Sequence, residues 1–351
     1  MCRSRISEQY KNVFLDCLDK EQSTDLIKIK KQLSDIIPFY EEDKLFYDNI
    51  SKSFLEWKET GEVYIEESLV SDLILVYERL EDEESKLVLD WYIKFKIALT
   101  IIQSVTIVEG MYPYPTNHSR IELGKIAASK IKKNGEMYCI EDYLLNTELY
   151  LISETWICET YLLEDRCEPQ KNDIVLDIGA YKGETSIWFA KKVGESGKVY
   201  SFEIMPSHVS FLENNIYNNG FDTTIQVVKK GLWDESTKLG IIESGDASKC
   251  ITSEGEMYIE VITMDSFVEE NKLQSVDFIK MDIEGAELRA LKGGINTIKT
   301  FKPKLAICAY HKYQDIIQIP LWLKSIVPEY RIYLAQKTPV AHSIVLYATA
   351  I

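Results

Sequence analysis

Several polar side chains stand at the end of, or directly after, short apolar runs that are typical of buried β-strands. Asp177 and Glu203 close two such runs, Asp282 and Glu284 follow a third, and His311 follows a fourth. Ligands of open α/β sheets bind at the carboxyl ends of the strands, which meet at one edge. We therefore expect these groups to line one crevice that can bind a polar ligand and accept a proton.

The loop after the first of these runs is the most informative segment. Gly179 and Gly183 predict a turn, and Glu184 begins a segment with helical spacing, so free N–H groups can face an anion there. Tyr181 stands where a dinucleotide-binding fingerprint requires its second glycine. The carboxylate of Asp177 suits a ligand with a cationic amine better than one with two phosphates. S-adenosylmethionine, which carries an ammonium and a sulfonium, is such a ligand.

The residues of this loop and of two neighbouring strand ends are the predicted cofactor site. Glu203 can accept hydrogen bonds from both ribose hydroxyls of a nucleoside at the end of the second strand. The predicted cofactor-binding residues are Asp177, Gly179, Ala180, Tyr181, Gly183, Glu184, Thr185, Glu203, Ile204 and Asp282.

The remaining polar groups predict a proton-transfer site. A hydroxyl is a poor nucleophile unless its proton leaves as the new bond forms, so a transferase that acts on a hydroxyl needs one base within hydrogen-bond reach. His311 has the most suitable intrinsic pKa and is the predicted base. Asp282 or Glu284 is expected to orient it or to bind neighbouring hydroxyls. The two acids could instead cap a helix or hold a metal, but with no further obvious ligand we expect no metal.

The elements that position these residues alternate between strand and helix from Lys171 onward. Strands are predicted at 174–178, 198–203, 224–228, 276–282 and 304–309, with an extra hairpin from 239–243 and 257–261. Tyr330–Ala335 and Ser343–Ala348 are two final strands with no room for a helix between them. The predicted fold class is α/β, a Rossmann-like seven-stranded sheet with a final antiparallel strand, as in class I methyltransferases.

The segment before the sheet divides into two parts. Residues 1–112 carry helical patterns, and Pro113 and Pro115 then interrupt the helix. We expect 1–112 to be a helical domain that caps the site, positions the substrate or forms a dimer. Residues 113–170 are a linker with a hairpin at Asn134-Gly135 and a helix at 149–163. We expect an amphipathic helix packed on the sheet, but some of its polar and aromatic residues could instead cover the acceptor pocket, namely Tyr150, Glu154, Trp156, Glu159 and Tyr161. Residues 171–351 are the catalytic domain.

The amino-acid composition indicates which kinds of partner the protein can bind. The net charge of −16 argues against nucleic acid, which is bound by basic surfaces. The seven cysteines form no C-x-x-C pair, as expected of a reduced cytoplasmic protein. No apolar signal region or bilayer-spanning stretch is recognised. A small-molecule or glycan acceptor and a homo-oligomer through the helical N-terminal region are therefore the expected partners.

Residues from about Lys171 to Lys337 resemble the FkbM family of S-adenosylmethionine-dependent methyltransferases. The resemblance rests on four stretches, namely Asp177-Ile178-Gly179-Ala180-Tyr181-Lys182-Gly183-Glu184-Thr185, Ser201-Phe202-Glu203-Ile204-Met205-Pro206, Ile279-Lys280-Met281-Asp282-Ile283-Glu284-Gly285-Ala286-Glu287, and Tyr310-His311-Lys312. It covers about half of the chain. The resemblance implies O-methylation, often of sugar hydroxyls in cell-surface glycans or of natural-product scaffolds.

Other functions fit the same residues. The acceptor could be a natural product or a protein side chain, and the chain could also bind a nucleotide without catalysing a transfer. Binding of S-adenosylhomocysteine rather than NAD would separate the methyltransferases from the dinucleotide-binding proteins.

Overall fold

The computed structural model describes residues 67–102, 105–244, 247–251, 257–312, 314–340 and 343–350. The helices predicted within residues 1–66 lie outside these ranges. A π-helical turn spans Ser153–Ile157. The helices are α1 (Glu67–Arg79), α2 (Glu83–Ile102), α3 (Val105–Met111), α4 (Arg120–Lys130), α5 (Leu149–Ile152), α6 (Glu184–Val193), α7 (Pro206–Asn218), α8 (Met264–Glu270), α9 (Glu287–Lys292), α10 (Ile295–Phe301) and α11 (Asp315–Ile326).

The strands are β1 (Ile131–Asn134), β2 (Met137–Ile140), β3 (Tyr143–Leu145), β4 (Ile174–Ile178), β5 (Lys198–Phe202), β6 (Ile225–Val228), β7 (Gly231–Leu232), β8 (Thr237–Ser244), β9 (Ala247–Ile251), β10 (Met257–Ile262), β11 (Phe278–Met281), β12 (Lys304–Cys308), β13 (Arg331–Gln336) and β14 (Ile344–Thr349).

Seven strands form the central sheet, in the order β13-β14-β12-β11-β4-β5-β6. Strand β14 runs antiparallel to both of its neighbours, whereas β12, β11, β4, β5 and β6 pair in parallel. This confirms the predicted Rossmann-like fold with one antiparallel strand. Because the sheet is covered on both faces, its central strands are mostly apolar, and every residue of β11, including Lys280, is buried.

Four loops meet at the carboxyl edge of the parallel strands. They follow β4, β5, β11 and β12, and they carry the residues predicted to do chemistry. The pairing register brings Asp177 of β4 opposite Lys280 of β11. The strand order therefore gathers at one edge residues that are more than a hundred positions apart in the chain.

Helices α1 and α2 pack directly on this sheet. The turn between them extends the edge strand, because the Glu81 N–H donates to the Ile332 carbonyl at 3.0 Å. The Ser85 hydroxyl accepts a 3.0 Å hydrogen bond from the N–H of Leu334. Phe95 belongs to the same hydrophobic cluster as Ile178 and the other core residues of the sheet. The described part of the predicted N-terminal domain therefore shares its core with the catalytic sheet.

Two smaller sheets complete the fold. The predicted hairpin at Asn134-Gly135 is present, with Asn134 paired to Met137 and the turn at Gly135 and Glu136. The predicted pairing of 239–243 with 257–261 is present as β8 and β10. That sheet contains two further strands in the order β7-β10-β8-β9.

The single amphipathic helix predicted at 149–163 is wrong. Only the turn α5 is α-helical, and the chain then widens into the π-helical turn, where the N–H of Cys158 donates to the carbonyl of Ser153 at 3.0 Å. The extra residue allows the indole N–H of Trp156 to reach the Glu184 carbonyl at 3.2 Å. Glu159 has a φ of 46°, which ends the helical path.

Candidate active site

A cavity of about 500 Å³ opens at the carboxyl edge of the central sheet. Its volume lies within the range of small-molecule sites, about 300–1,000 Å³. Glu203 and Ile204 follow β5, and residues of the small sheet also line the cavity. Asp282 and Glu284 follow β11, on the other side of β4, and Glu154 from the π-helical turn is a further lining residue. The cavity can thus hold two groups side by side.

The loop after β4 is pinned to the neighbouring strand rather than left open. The N–H groups of Gly179 and Ala180 both donate to the Phe202 carbonyl, at 3.1 and 2.9 Å. The N–H of Tyr181 donates to Glu203 Oε2 at 2.9 Å. These three N–H groups are therefore not free to bind an anionic ligand, which corrects the prediction from the sequence. They hold the loop against β5 instead.

Both glycines of this loop are required by close packing. Gly179 has a φ of +82°, and a Cβ there would lie 1.9 Å from the backbone oxygen of Asp282. Gly183 has a φ of +93°, and a Cβ there would lie 2.5 Å from the side chain of Leu212. From the sequence, these glycines are expected to form a turn that leaves N–H groups free for a ligand. In the structure, a side chain is excluded at both positions because this loop packs closely against the β11 loop and helix α7.

Asp177 forms a buried charge pair beneath the loop. Its carboxylate is fully buried, lies 3.2 Å from the Lys280 ammonium, and accepts hydrogen bonds from the hydroxyls of Thr185 and Ser186 at 2.8 and 2.6 Å. Lys280 also donates to the Gly179 carbonyl at 2.5 Å. Burial lowers the pKa of Lys280, but Asp177, together with Asp282, Cys308 and Glu184, outweighs burial and raises it. Asp177 thus braces the loop and does not line the cavity.

Glu203 is held with its carboxylate at the cavity wall. Its Oε1 accepts hydrogen bonds from the N–H groups of Ile204 and Met205, both at 2.8 Å, and its Oε2 accepts one from Tyr181. Oε1 thus has both lone pairs engaged, whereas Oε2 has a second lone pair that can still accept a hydrogen bond from a ligand hydroxyl. Apolar side chains of β7 and β10, including Leu232 and Val261, continue this wall. An oriented acid beside an apolar slot fits the ribose and base of S-adenosylmethionine.

The other end of the cavity holds a cluster of acids around His311. Its Nδ1 lies 2.9 Å from Glu287 Oε1, and its Nε2 lies 3.4 Å from Asp282 Oδ1 and 3.7 Å from Glu284 Oε2. The Tyr161 hydroxyl donates to Asp282 Oδ2 at 2.9 Å. The structure therefore brings together the three residues predicted for proton transfer.

The charged residues of this cluster shift the pKa values of His311 and Asp282. Burial lowers the pKa of His311, but Glu287, Asp282 and Glu284 outweigh burial and raise it to about 10. Burial raises the pKa of Asp282, but the cationic His311 and Lys280 outweigh burial and hold it below its usual range. At neutral pH the cluster is therefore an imidazolium facing carboxylates, and the imidazole has no lone pair with which to accept a proton.

Three of these residues could also contribute metal ligands. Atoms of Asp282, Glu287 and His311 lie within 4.8 Å of one another. Glu287 Oε1, however, accepts hydrogen bonds from His311 and from the N–H of Ile283, both at 2.9 Å. Glu287 Oε1 therefore has partners without an ion, whereas its buried Oε2 has no hydrogen-bond partner among the described residues. A reaction without a metal stays our prediction.

The predicted residues divide into two groups by their place at the cavity. Those that line it are Gly179, Tyr181, Glu184, Glu203, Ile204, Asp282 and Glu284. Those behind its wall are Asp177, Ala180, Gly183, Thr185 and His311. The sequence analysis assigned no role to Lys280 or Tyr310, which also line it, because an apolar strand and an aromatic residue give no local signal for a site.

Among the helices that the structure describes, none is both long and apolar enough to cross a bilayer.

Known proteins share the fold and the motifs of this site. Residues 177–336 match the family model of the methyltransferase FkbM domain. The hexuronic acid methyltransferase AglP of Haloferax volcanii is 26% identical over 136 residues, which are 38% of this chain and 54% of that protein. The ribosomal RNA large subunit methyltransferase E of Lawsonia intracellularis is 37% identical over 71 residues, which are 18% of this chain and 36% of that protein.

A solved structure has the same fold. The methyltransferase FkbM of Methylobacillus flagellatus superposes with a TM-score of 0.52 at 22% identity, covering 80% of this chain and 58% of that chain. The chain spans about half the length of AglP, the first of these relatives. Residues 177–336 are therefore identified as a methyltransferase FkbM domain.

Proposed function

We propose that this protein transfers a methyl group from S-adenosylmethionine to a hydroxyl of a sugar, in a surface glycan or a glycan precursor. The observation that carries the proposal is one cavity with the Glu203 wall at one end and the Asp282 cluster at the other. Hydroxyl-bearing and carboxylate side chains surround the second end, as a ligand rich in hydroxyls requires. The relative AglP, a hexuronic acid methyltransferase, agrees with a sugar acceptor.

Binding and orientation are the main tasks of the protein in this reaction. Glu203 would hold the ribose, and the apolar residues of β7 and β10 would enclose the base. When bound, S-adenosylmethionine supplies an electrophilic methyl group on a sulfonium. Asp282 and Glu284 would accept hydrogen bonds from acceptor hydroxyls, and the imidazolium of His311 would keep both carboxylates in place. Tyr161 and Tyr310 fix the orientation of Asp282 by donating to it at 2.9 and 3.3 Å.

The charge of the acceptor end favours particular sugars. One imidazolium, His311, faces the three carboxyl groups of Asp282, Glu284 and Glu287. Lys280, at the cavity wall, is paired with the buried Asp177 and so offsets the charge of these carboxyl groups only in part. Placing a further negative charge beside these groups costs free energy. We therefore propose a neutral or amino sugar, rather than a uronic acid, as the acceptor.

A panel of small sugars tests both statements. Methyl glucoside, methyl glucosaminide and methyl glucuronide are incubated with labelled S-adenosylmethionine, and methyl transfer is measured by mass spectrometry. We expect kcat/KM for the neutral and amino sugars to exceed that for the uronate by about tenfold or more, because of the repulsion between like charges. A chelator should leave the rates unchanged.

The outcomes separate the alternatives. A preference for the glucuronide would contradict the charge argument but keep O-methylation of sugars. If none of the sugars is methylated while a hydroxylated polyketide or a peptide is, the acceptor class is wrong. If the protein binds S-adenosylhomocysteine but methylates none of these probes, it is a nucleotide-binding protein. Loss of all activity with chelator would show that the cluster around His311 holds a metal.

Replacement of Glu203 tests the cofactor end. We expect Glu203→Ala to weaken binding of S-adenosylhomocysteine by about 1–3 kcal/mol, through loss of charge-assisted hydrogen bonds to the ribose. Isothermal titration calorimetry measures this change. Glu203→Gln, which keeps the size of the side chain, should weaken binding less.

The control is Glu195→Ala, which removes an exposed acid at the far end of α6 and should leave the affinity unchanged. Thermal unfolding of each variant reports whether the loop held by Glu203 is still folded. Equal affinity of the folded Glu203→Ala variant and the native protein would rule out a role for Glu203 in binding.

A further inference from the structure

Glu154 lies in the π-helical turn Ser153–Ile157 and at the wall of the cavity. A π-helical turn holds one residue more than an α-helical turn, and such turns are frequent at functional sites. Its neighbours Ser153, Thr155 and Trp156 are buried in the protein. Glu154 is half-buried and lines the same end of the cavity as Asp282.

The backbone of Glu154 is fixed by the rest of the fold. Its carbonyl accepts hydrogen bonds from the N–H of Thr160 at 3.1 Å and from the Thr160 hydroxyl at 2.8 Å. The Tyr347 hydroxyl, on the antiparallel strand β14, donates to the Thr160 carbonyl. The turn is therefore tied to the central sheet, and Glu154 is held at a defined place.

The carboxylate of Glu154 makes no hydrogen bond with any residue that the structure describes, unlike four other acids around the cavity. Asp282 accepts hydrogen bonds from two tyrosines, and Glu203 from three backbone N–H groups. Glu184 accepts one from Thr147, and Glu287 bonds to His311. A carboxylate fixed at a cavity wall with both oxygens unpartnered is available to a ligand.

We propose that Glu154 is the catalytic base, which accepts the proton of the acceptor hydroxyl. This inference rests on the proposed function. As the hydroxyl oxygen bonds to the methyl carbon, the carbon–sulfur bond breaks and its electron pair stays on sulfur. The hydroxyl proton passes to a carboxylate oxygen of Glu154. Residue 154 precedes the segment 177–336 that matches the family model, so this role is not carried by the shared motifs.

The electrostatics of the cavity agree with this assignment. Burial, followed by the negative charges of Asp282 and Glu184, raises the pKa of Glu154 to about 8. A base with a pKa near the operating pH is the most effective. His311 is already protonated, and Asp282 is a weaker base because its pKa is lowered. The other titratable groups that interact electrostatically with Glu154 are Tyr161, Tyr310 and Cys158.

The first test compares the pH dependence of turnover in the native protein and in Glu154→Gln, with the sugar of the panel that reacts fastest. The base must lose its proton to act, so kcat/KM of the native protein should rise about tenfold per pH unit and level off near pH 8. Glu154→Gln should lose about 10²–10⁴-fold in kcat and this rising limb. Glu154→Asp should keep the limb at a lower rate.

Two measurements separate a base from a structural residue. Calorimetry should give the same affinity for S-adenosylhomocysteine in Glu154→Gln and the native protein. NMR titration of protein labelled with [13Cδ]glutamate should contain one resonance with a midpoint near 8 that is missing in Glu154→Gln. The matched control is Glu164→Gln, an exposed acid outside the cavity, which should retain the native rate and pH profile.

The outcomes distinguish this inference from the proposed function. A native protein that methylates none of the sugars counts against the proposed function. A native protein that methylates them, with Glu154→Gln keeping both the rate and the rising limb, overturns the role of Glu154 alone. An ordinary carboxyl pKa for Glu154 in the NMR titration also overturns it.

Discussion

Lys280→Met is expected to lower the free energy of unfolding by about 3–5 kcal/mol, because it leaves the fully buried carboxylate of Asp177 without its counter-charge. The ammonium lies 3.2 Å from Asp177 Oδ1, and the exposed fractions of the two side chains are 2% and 0%. The ammonium also donates to the carbonyl of Gly179 and so fixes the loop after β4. Denaturant titration measures the loss, and calorimetry with S-adenosylhomocysteine should detect weaker binding.

Two further variants control this experiment. Lys229→Met breaks an exposed pair with Glu213 and should change stability by no more than about 1 kcal/mol. The double variant Asp177→Asn/Lys280→Met removes both charges and should be more stable than Lys280→Met alone, since no buried charge is left unpaired. If Lys280→Met is as stable as the native protein, the pair does not brace the loop.

Phe95→Ala is expected to cost about 3–5 kcal/mol of stability, although Phe95 lies before the proline-rich linker. Its side chain is 1% exposed and belongs to the hydrophobic cluster that includes the central sheet. The ring lies 5.0 Å from that of Trp91 and 5.7 Å from that of Tyr114, measured between centroids. The same packing predicts that a chain beginning at Asn117 exposes apolar surface and loses stability.

Leu87→Ala is the matched control on the same helix. Leu87 is 64% exposed, so its truncation should change stability by about 0.5 kcal/mol or less. Thermal and denaturant unfolding of both variants measure the difference. A cost for Phe95→Ala no larger than that for Leu87→Ala would contradict a shared core and support 1–112 as a separable domain.

The packing of α1 and α2 on the sheet also bears on the domain boundary that is predicted from the sequence. Pro113 and Pro115 interrupt a helix, and a local break in secondary structure resembles a domain boundary. Packing is decided by which apolar faces meet, and the faces of α1 and α2 meet the sheet beside β13. A separable helical domain at 1–112, and an oligomer formed through it, stay predictions, and residues 1–66 lie outside the described part of the chain.

The sequence by itself determined the order of the strands, the terminal antiparallel strand and the edge at which the site lies. These follow from local patterns, because apolar runs and glycine loops specify strands and turns one after another. The right-handed crossovers of parallel strands then leave few topologies. The family motifs lie on the loops of that edge, so Glu203, Asp282 and Glu284 could be located at the cavity wall before the structure was known.

Only the tertiary structure shows which of these side chains interact and how they change one another's protonation. Asp177 pairs with Lys280, 103 positions away, and so braces the loop instead of meeting the ligand. His311 is protonated because Glu287 and two further acids surround it, which no local pattern records. Glu154 reaches the cavity because a π-helical turn replaces a regular helix, and that turn depends on contacts with α6 and β14. Charge and protonation depend on distances through space, and a sequence gives only distances along the chain.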